Sequence, residues 1–279
     1  MKNKNNNCTA STLQVLVSTM NLNDCTKLCD NLNINSDVLV INQSDNTNFD
    51  FFEYKGNKCE CYTFKERGLS RSRNEALMRA TGDIICIADD DMKYSDTYKI
   101  DILEEFNKHP DADAIVFNVD LINSVFSSIH ISKFSRVGKF ESRQYGSVHI
   151  ALRREKILYN NLFFNIMFGT GSYYKCGEDT IFLKKLLDCG LRLYKSPIVI
   201  GQVDMSDSTW FKGYNKKYYL DKGAIIAAVY PRISIILIVI QSIRNSKKHF
   251  GSFRYILPVL KSYLEGYKDF KKKSCKCNN

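Results

Sequence analysis

Residues 67–92 read RGLSRSRNEALMRATGDIICIADDDM. The end of this stretch, Ile84–Met92, carries five apolar or small residues directly into three consecutive carboxylates. An apolar run of that length bounded by Gly82–Asp83 reads as a buried strand. Three like charges at its tip repel one another and need compensation, from solvent or from a bound cation. The plain reading is a solvated strand-end loop whose aspartates cap the next helix. The alternative is a site for a hard divalent ion, Mn²⁺ or Mg²⁺, which prefers carboxylate oxygen. Asp89 and Asp91 are two apart, so in extended backbone they share a side of the chain and Asp90 acts as spacer. The preceding segment favours the second reading. Ser72 and Glu75 match a capping box and Gly82 a helix C-terminal glycine, which places Arg71 and Arg73 at a helix start, where anions are favoured. Arginine suits phosphate through its paired hydrogen bonds.

Outward from this stretch, strands and helices alternate. Leu13 to Val17 reads as a strand, and Leu22, Cys25, Leu28, Cys29 and Leu32 recur at helical spacing with Asp24 near the start. Val38–Ile41 and Cys59–Phe64 are further strands. Tyr98, Ile102, Leu103 and Phe106 mark a helix that must stop before Pro110, and Ala114–Val119 is a strand. The alternation predicts an α/β fold with a mainly parallel sheet and helices on both faces. Ligands gather at the carboxyl ends of strands in such sheets, which aligns Thr19, Gln43 and Asp89–Asp91 along one edge. The stretch 122–168 is poorly patterned: SVHIALRREKI reads as a strand entering a helix, and RVGKFESRQYG as a loop. Glu178–Leu187 is a helix ending at Gly190, and Ile198–Val203 a last strand. The Glu178–Asp179 pair is either an N-terminal cap or a general base. FGTGSYYKCGED before it is rich in glycine and tyrosine, and Trp210, the one tryptophan, is either core or an acceptor contact.

The chain has 279 residues and a net charge of +10. From Gln241 onward ten Lys or Arg face only Glu265 and Asp269, so this end carries +8 and the rest of the chain about +2. Ten cysteines occur without a CxxC pair or another spacing typical of zinc sites. They are read as small packed hydrophobes in a reducing, cytosolic setting. The opening MKNKNNNCTASTLQVLV is a poor secretory signal and reads as a frayed terminus before the first strand.

The residues resemble family-2 glycosyltransferases, inverting enzymes of the GT-A fold, of the kind used in bacterial polysaccharide synthesis. ERGLSRSRNEALMRATGDIICIADDDM is similar to the family's nucleotide-sugar half with its Asp-x-Asp motif, and GEDTIFLKKLLDCGLRLYKSPI to its second signature. The resemblance implies a GT-A (Rossmann-like) domain over residues 1–215 and an NDP-sugar donor, most simply a UDP-sugar. It also implies Mn²⁺ or Mg²⁺ held by Asp91 with Asp89, and single displacement with inversion. Donor contacts would come from Thr19, Asn21, Gln43, Arg71, Arg73, Asn74, Asp89 and Asp90. Asp179 would be the catalytic base with Glu178 as second choice, and Gly171 and Trp210 would meet the acceptor. One departure is that the second strand ends in INQSD rather than at an acid; Asn42 or Gln43 would then meet the base, with Asp45 as the displaced acid.

Residues 216–279 form the second region. GAIIAAVYPRISIILIVI, Gly223 to Ile240, is nearly long enough to span a bilayer, but Pro231 and Arg232 interrupt it, which favours a helix pair or an interfacial segment. Aromatic and aliphatic residues then interleave with Lys and Arg, the pattern of a C-terminal, membrane-associating helical extension on anionic lipid. No nucleic-acid motif accompanies this charge. The expected enzyme moves sugar to a hydroxyl of a lipid-linked saccharide acceptor, peripheral on the cytoplasmic face of the cell membrane, in capsule or related polysaccharide assembly. Two alternatives are a membrane-surface binding protein with a relic GT-A domain, and a nucleotidyltransferase. The second needs a glycine-rich opening after the first strand, and STMNLND lacks it.

Overall fold

The computed structural model describes residues 11–124, 128–206 and 213–276. In chain order the elements are β1 (Leu13–Met20), α1 (Cys25–Asn31), β2 (Asp37–Gln43), β3 (Asn48–Tyr54), β4 (Asn57–Phe64), α2 (Leu69–Arg79), β5 (Ile84–Asp89), β6 (Met92–Tyr94) and α3 (Tyr98–Lys108). There follow β7 (Ala114–Ile122), β8 (Ser135–Arg136), two single-turn 3₁₀ pieces at Ser142–Gln144 and Ser147–His149, β9 (Ile150–Arg153), α4 (Arg154–Tyr159), α5 (Glu178–Asp188) and β10 (Leu193–Asp204). Three helices close the chain: α6 (Lys216–Val229), α7 (Ser234–Phe250) and α8 (Ile256–Lys276).

One mixed sheet runs β3-β4-β2-β1-β5-β9-β7-β10-β6, with β8 beside β10. Its parallel block is β4-β2-β1-β5, and β9 enters antiparallel between β5 and β7. Strand alternation explains the layering. Val15, Val17, Val38, Val40, Ile84 and Cys86 point to one face, where Leu28 of α1 and Tyr98, Ile102 and Phe106 of α3 cover them. Leu16, Leu39, Ile41, Ile85 and Ile87 point to the other, against Ala76 and Leu77 of α2 and Phe182, Leu183 and Leu186 of α5. Both faces are therefore apolar, as a doubly covered sheet requires. Parallel register sets Ser18 opposite Asp89, Thr19 opposite Asn42 and Met20 opposite Gln43, so the carboxyl edge is the one expected from sequence.

Several local expectations need correction. Helix α2 begins at Leu69 with Gly68 at its N-cap and no side-chain cap, so Ser72 and Glu75 are not a capping box. Ser72 is instead buried inside the helix and donates to Ser18 Oγ at 2.8 Å, tying α2 to β1. Gly82 does not terminate the helix, which ends at Arg79. It lies against β1, where an added Cβ would meet the Gln14 Cβ at 2.7 Å. Strand β3, paired antiparallel with β4 through a turn at Lys55–Gly56, was not among the expected strands; its side chains are mostly exposed, which hides the apolar alternation.

The apolar run 223–240 is split, with α6 ending at Val229 and α7 starting at Ser234 around Pro231. Among the described residues no helix is long and apolar enough to cross a membrane. Helices α6 and α8 cross in backbone contact: a Cβ on Gly223 would lie 2.1 Å from the Tyr263 carbonyl oxygen, and one on Gly266 1.9 Å from that of Leu220. Only glycine permits this approach.

Candidate active site

Everything at the site converges on Arg73. It lies in the second turn of α2, is 3 % exposed, and reaches out of the helix towards β5 and α5. Its Nη2 donates to Asp89 Oδ1 at 2.8 Å and Oδ2 at 3.2 Å, and to Ser147 Oγ at 2.6 Å. Its Nη1 donates to Asp179 Oδ1 at 2.9 Å and Glu178 Oε1 at 3.3 Å. One guanidinium thus joins the end of β5 to the start of α5, the two signatures that sequence alone left about ninety residues apart. Burial works against the charge, but Asp89, Asp179 and Glu178 outweigh it and hold the guanidinium pKa above its usual value. A fork is needed here, since a single ammonium could not address three carboxylates and a hydroxyl at once.

A cavity of about 370 Å³ opens beside this bridge, lined among others by Asp89, Asp91, Ser147, Thr170, Glu178, Asp179 and Lys222. The two acids of α5 differ. Glu178 is 7 % exposed and turned inward, with Oε2 lacking a hydrogen-bond partner among the described residues. Asp179 keeps a more accessible carboxylate at the cavity wall. Burial raises its pKa most; the Arg73 charge opposes this, Glu178 and Asp89 add to the rise, and the result is about 7. A carboxyl poised there can accept a proton from a hydroxyl near neutrality.

The strand end resolves into three roles. Asp89 gives both oxygens to Arg73. Asp90 accepts from Thr19 Oγ1 at 2.6 Å, so it ties β1 to β5 and is more than a spacer. Asp91 faces the cavity without an ion pair among the described residues, and its pKa is pushed up to about 6, by desolvation first and then by the Asp89, Asp90 and Asp204 charges. Asp91, an oxygen ligand whose charge no cation among the described residues offsets, fits a hard divalent cation, with Asp89 beside it already paired to Arg73.

The remaining sequence candidates are placed as follows. Asn42 engages its whole amide with the protein, accepting from Leu22 N and donating to Leu22 O and Thr63 Oγ1. Gln43 is buried, its Oε1 accepting from Gly68 N at 2.6 Å. Both therefore brace the edge from within. Asn21, at φ 53°, accepts from Arg67 Nη2, and Arg67 also pairs with Asp45 at 3.0 Å and donates to the Gln43 carbonyl. Arg67 was not among the sequence candidates, although it stands next to the glycine that opens α2. Asn74 clamps the backbone of Phe164 through both amide atoms, at 2.9 and 2.7 Å, and so anchors the 160s loop. Arg71 is exposed on the first turn of α2. Gly171, at φ +81°, lets the loop after Phe168 close on α2, since a Cβ there would meet Gly68 Cα at 3.0 Å. Trp210 lies outside the described residues. Ser147 and Lys222 were missed: the first sits in the unpatterned 122–168 stretch, the second in the C-terminal helices.

Comparison with known proteins settles the lineage. The Glycosyl transferase family 2 profile matches residues 22–174, more than half of the chain. The chain belongs to that family. Among solved structures it is similar to residues 1–349 of S. aureus TarS. That protein in complex with UDP-GlcNAc gives a TM-score of 0.63 at 15 % identity, covering 93 % of this chain and 80 % of TarS 1–349. Without ligand it gives 0.59 at 13 % identity, covering 94 % and 92 %. The complex with UDP gives 0.59 at 14 % identity, with the same coverage. At these identities the likeness concerns the fold, a GT-A-like sheet flanked by helices. No curated protein matches the chain by sequence.

Proposed function

We propose that the chain is an inverting glycosyltransferase that moves sugar from a UDP-sugar to a hydroxyl of a lipid-linked saccharide at a membrane surface. The observation that carries this reading is the Arg73 bridge, which brings the Asp89–Asp91 strand end and the Asp179 carboxyl to one cavity. The nucleotide would lie over the carboxyl ends of β2 and β1, with Arg71 near the diphosphate. Asp179 takes the proton of the acceptor hydroxyl as its oxygen forms the new bond to the anomeric carbon. The bond from that carbon to the diphosphate oxygen breaks on the opposite face, and UDP carries away the electron pair. Asp91, with Asp89, would hold Mn²⁺ or Mg²⁺, which supplies positive charge against the diphosphate.

The acceptor side is supported by a second cavity of about 440 Å³ that shares Arg143, Thr180 and Lys222 with the first. Tyr230, Arg244 and Lys248 of the C-terminal helices also line it. Aromatic rings stack on sugars and the cations suit a phosphate-bearing acceptor. Helix α7 supports the membrane reading. Its buried positions include Ser234, Ser242 and Ser246, whereas Ile235, Ile236, Val239, Ile240 and Ile243 are exposed. An amphipathic helix with its isoleucines outward and Arg244 and Lys247 beside them suits the headgroup boundary of anionic lipid. Sedimentation with anionic vesicles is expected to deplete the protein, and zwitterionic vesicles to leave it in solution. Equal recovery from both would remove the membrane element.

Two further results are expected. Calorimetric titration with UDP should show binding that requires Mn²⁺ or Mg²⁺ and is lost in Asp91→Ala; metal-independent binding of equal strength in that variant would contradict the donor site. The pH profile should follow the base. Asp179 must be ionised to act, so kcat/KM should rise about tenfold per unit below neutrality and level off above pH about 7. A flat profile from pH about 5.5 to 8 would exclude Asp179 from that role.

A further inference from the structure

Four cysteines that no local spacing relates come together beneath the β1–α1 turn. Cys25 and Cys29 stand one helical turn apart on α1, hence on one face. Cys59 and Cys61 stand two apart on β4, hence on one side of the sheet. The two pairs face each other. Cys25 Sγ lies 3.7 Å from Cys59 Sγ, and Cys29 Sγ 3.8 Å from it. All three sulfurs fall within 4.8 Å of one another, and Cys61 is the next thiol along β4 on the same side.

Two packed sulfurs touch at about the same separation, so the pointer to a metal is that three thiols converge on one point. A tetrahedral zinc site accommodates them: with Zn–S about 2.3 Å, the edge of the sulfur tetrahedron is about 3.8 Å. Three of the thiols are buried or nearly so, Cys25 is half-buried, and none is disulfide-bonded.

We infer that Cys25, Cys29 and Cys59 form a structural zinc-thiolate site that pins α1 to β4, with Cys61 on the same strand as the candidate fourth ligand. The site is separate from the oxygen-rich strand end at Asp91, and the two differ in ligand softness, so they select different ions. Its position gives it a purpose. Helix α1 has seven residues, below the length of about 12–15 at which an isolated helix becomes even marginal in water. It follows directly on the turn that carries Asn21 and Leu22, which are bonded to Arg67 and Asn42 at the nucleotide edge. A metal fixed to both of its turns and to the adjacent strand holds that edge in register.

The test is metal analysis of the full chain, purified without a metal-binding tag. About one equivalent of zinc is expected, falling below about a tenth in Cys29→Ser and Cys59→Ser and unchanged in the exposed-cysteine control Cys189→Ser. Replacement by Co²⁺ should give sulfur-to-cobalt charge transfer and the strong visible bands of tetrahedral thiolate coordination. That spectrum is read on the wild-type chain, so it stands even if the serine variants fail to fold. Wild-type protein with no zinc, no cobalt spectrum and all ten thiols free on unfolding would overturn the inference in favour of plain core packing. A disulfide within the cluster in freshly purified protein would overturn it in favour of a redox pair.

Discussion

Replacing Asp179 with Asn is expected to lower sugar transfer by about 10²–10⁴-fold while UDP binding stays within about twofold of wild type. The substitution keeps the shape of the side chain and its place at the start of α5, and it removes only the capacity to take a proton. It also removes one charge from the Arg73 bridge, but Asp89 and Glu178 remain to hold the guanidinium. The loss should therefore appear in kcat with little change in donor affinity. Glu178→Gln provides the contrast. Glu178 is buried, and its Oε1 is already committed to Arg73. Its replacement should weaken the fold more than it slows the chemical step. If the two variants exchanged these behaviours, Glu178 would be the base.

The second large effect is expected at Arg73. Arg73→Met keeps the apolar stem and leaves Asp89, Glu178 and Asp179 clustered without a buried cation. Removing one partner from a buried ion pair costs about 3–5 kcal/mol. The pH dependence has a definite sign. Arg73 is the group that holds Asp179 down, so without it that carboxyl rises further above its unfolded value. A carboxyl raised in the folded state destabilises that state when ionised. The deficit should therefore be largest above pH about 7 and shrink as the pH falls towards about 4 and Asp179 takes up its proton. Urea unfolding at the two pH values reads this directly. Arg73→Lys should recover only part of the loss, because an ammonium cannot reproduce the forked contacts. A variant as stable as wild type at both pH values would contradict the structural role of the bridge.

What was legible in the sequence was local. The apolar run before Asp89 and the helix after Gly177 are each written in consecutive residues, and both stand where expected. The carboxyl edge followed from strand order alone. What was illegible depends on contacts across the chain. Ser72 looks like a cap by spacing, but its hydroxyl belongs to Ser18 on β1. Arg73 looks like a phosphate ligand, and in the structure its Nη donors go to three carboxylates and Ser147. Asn42 and Gln43 look like base readers at a strand end; the Asn42 amide is engaged by Leu22 and Thr63, and the Gln43 Oε1 by the Gly68 amide. The 122–168 stretch gave little pattern because it is built of single turns around β9, a strand of four residues. The cysteine cluster was illegible for the same reason. A helix pair four apart and a strand pair two apart carry no zinc spacing until α1 is laid on β4.

The central claim is that the cavity beside Arg73 transfers sugar, and turnover of the donor tests it most directly. Purified chain would be offered a panel of UDP-sugars with Mn²⁺ and a membrane-lipid extract as acceptor source, and UDP release followed. One donor is expected to be consumed well above the rest, with UDP release at least about 10²-fold slower in Asp179→Asn. Binding of UDP with no consumption of any donor, by wild type and variant alike, would contradict it and mark the domain as a relic.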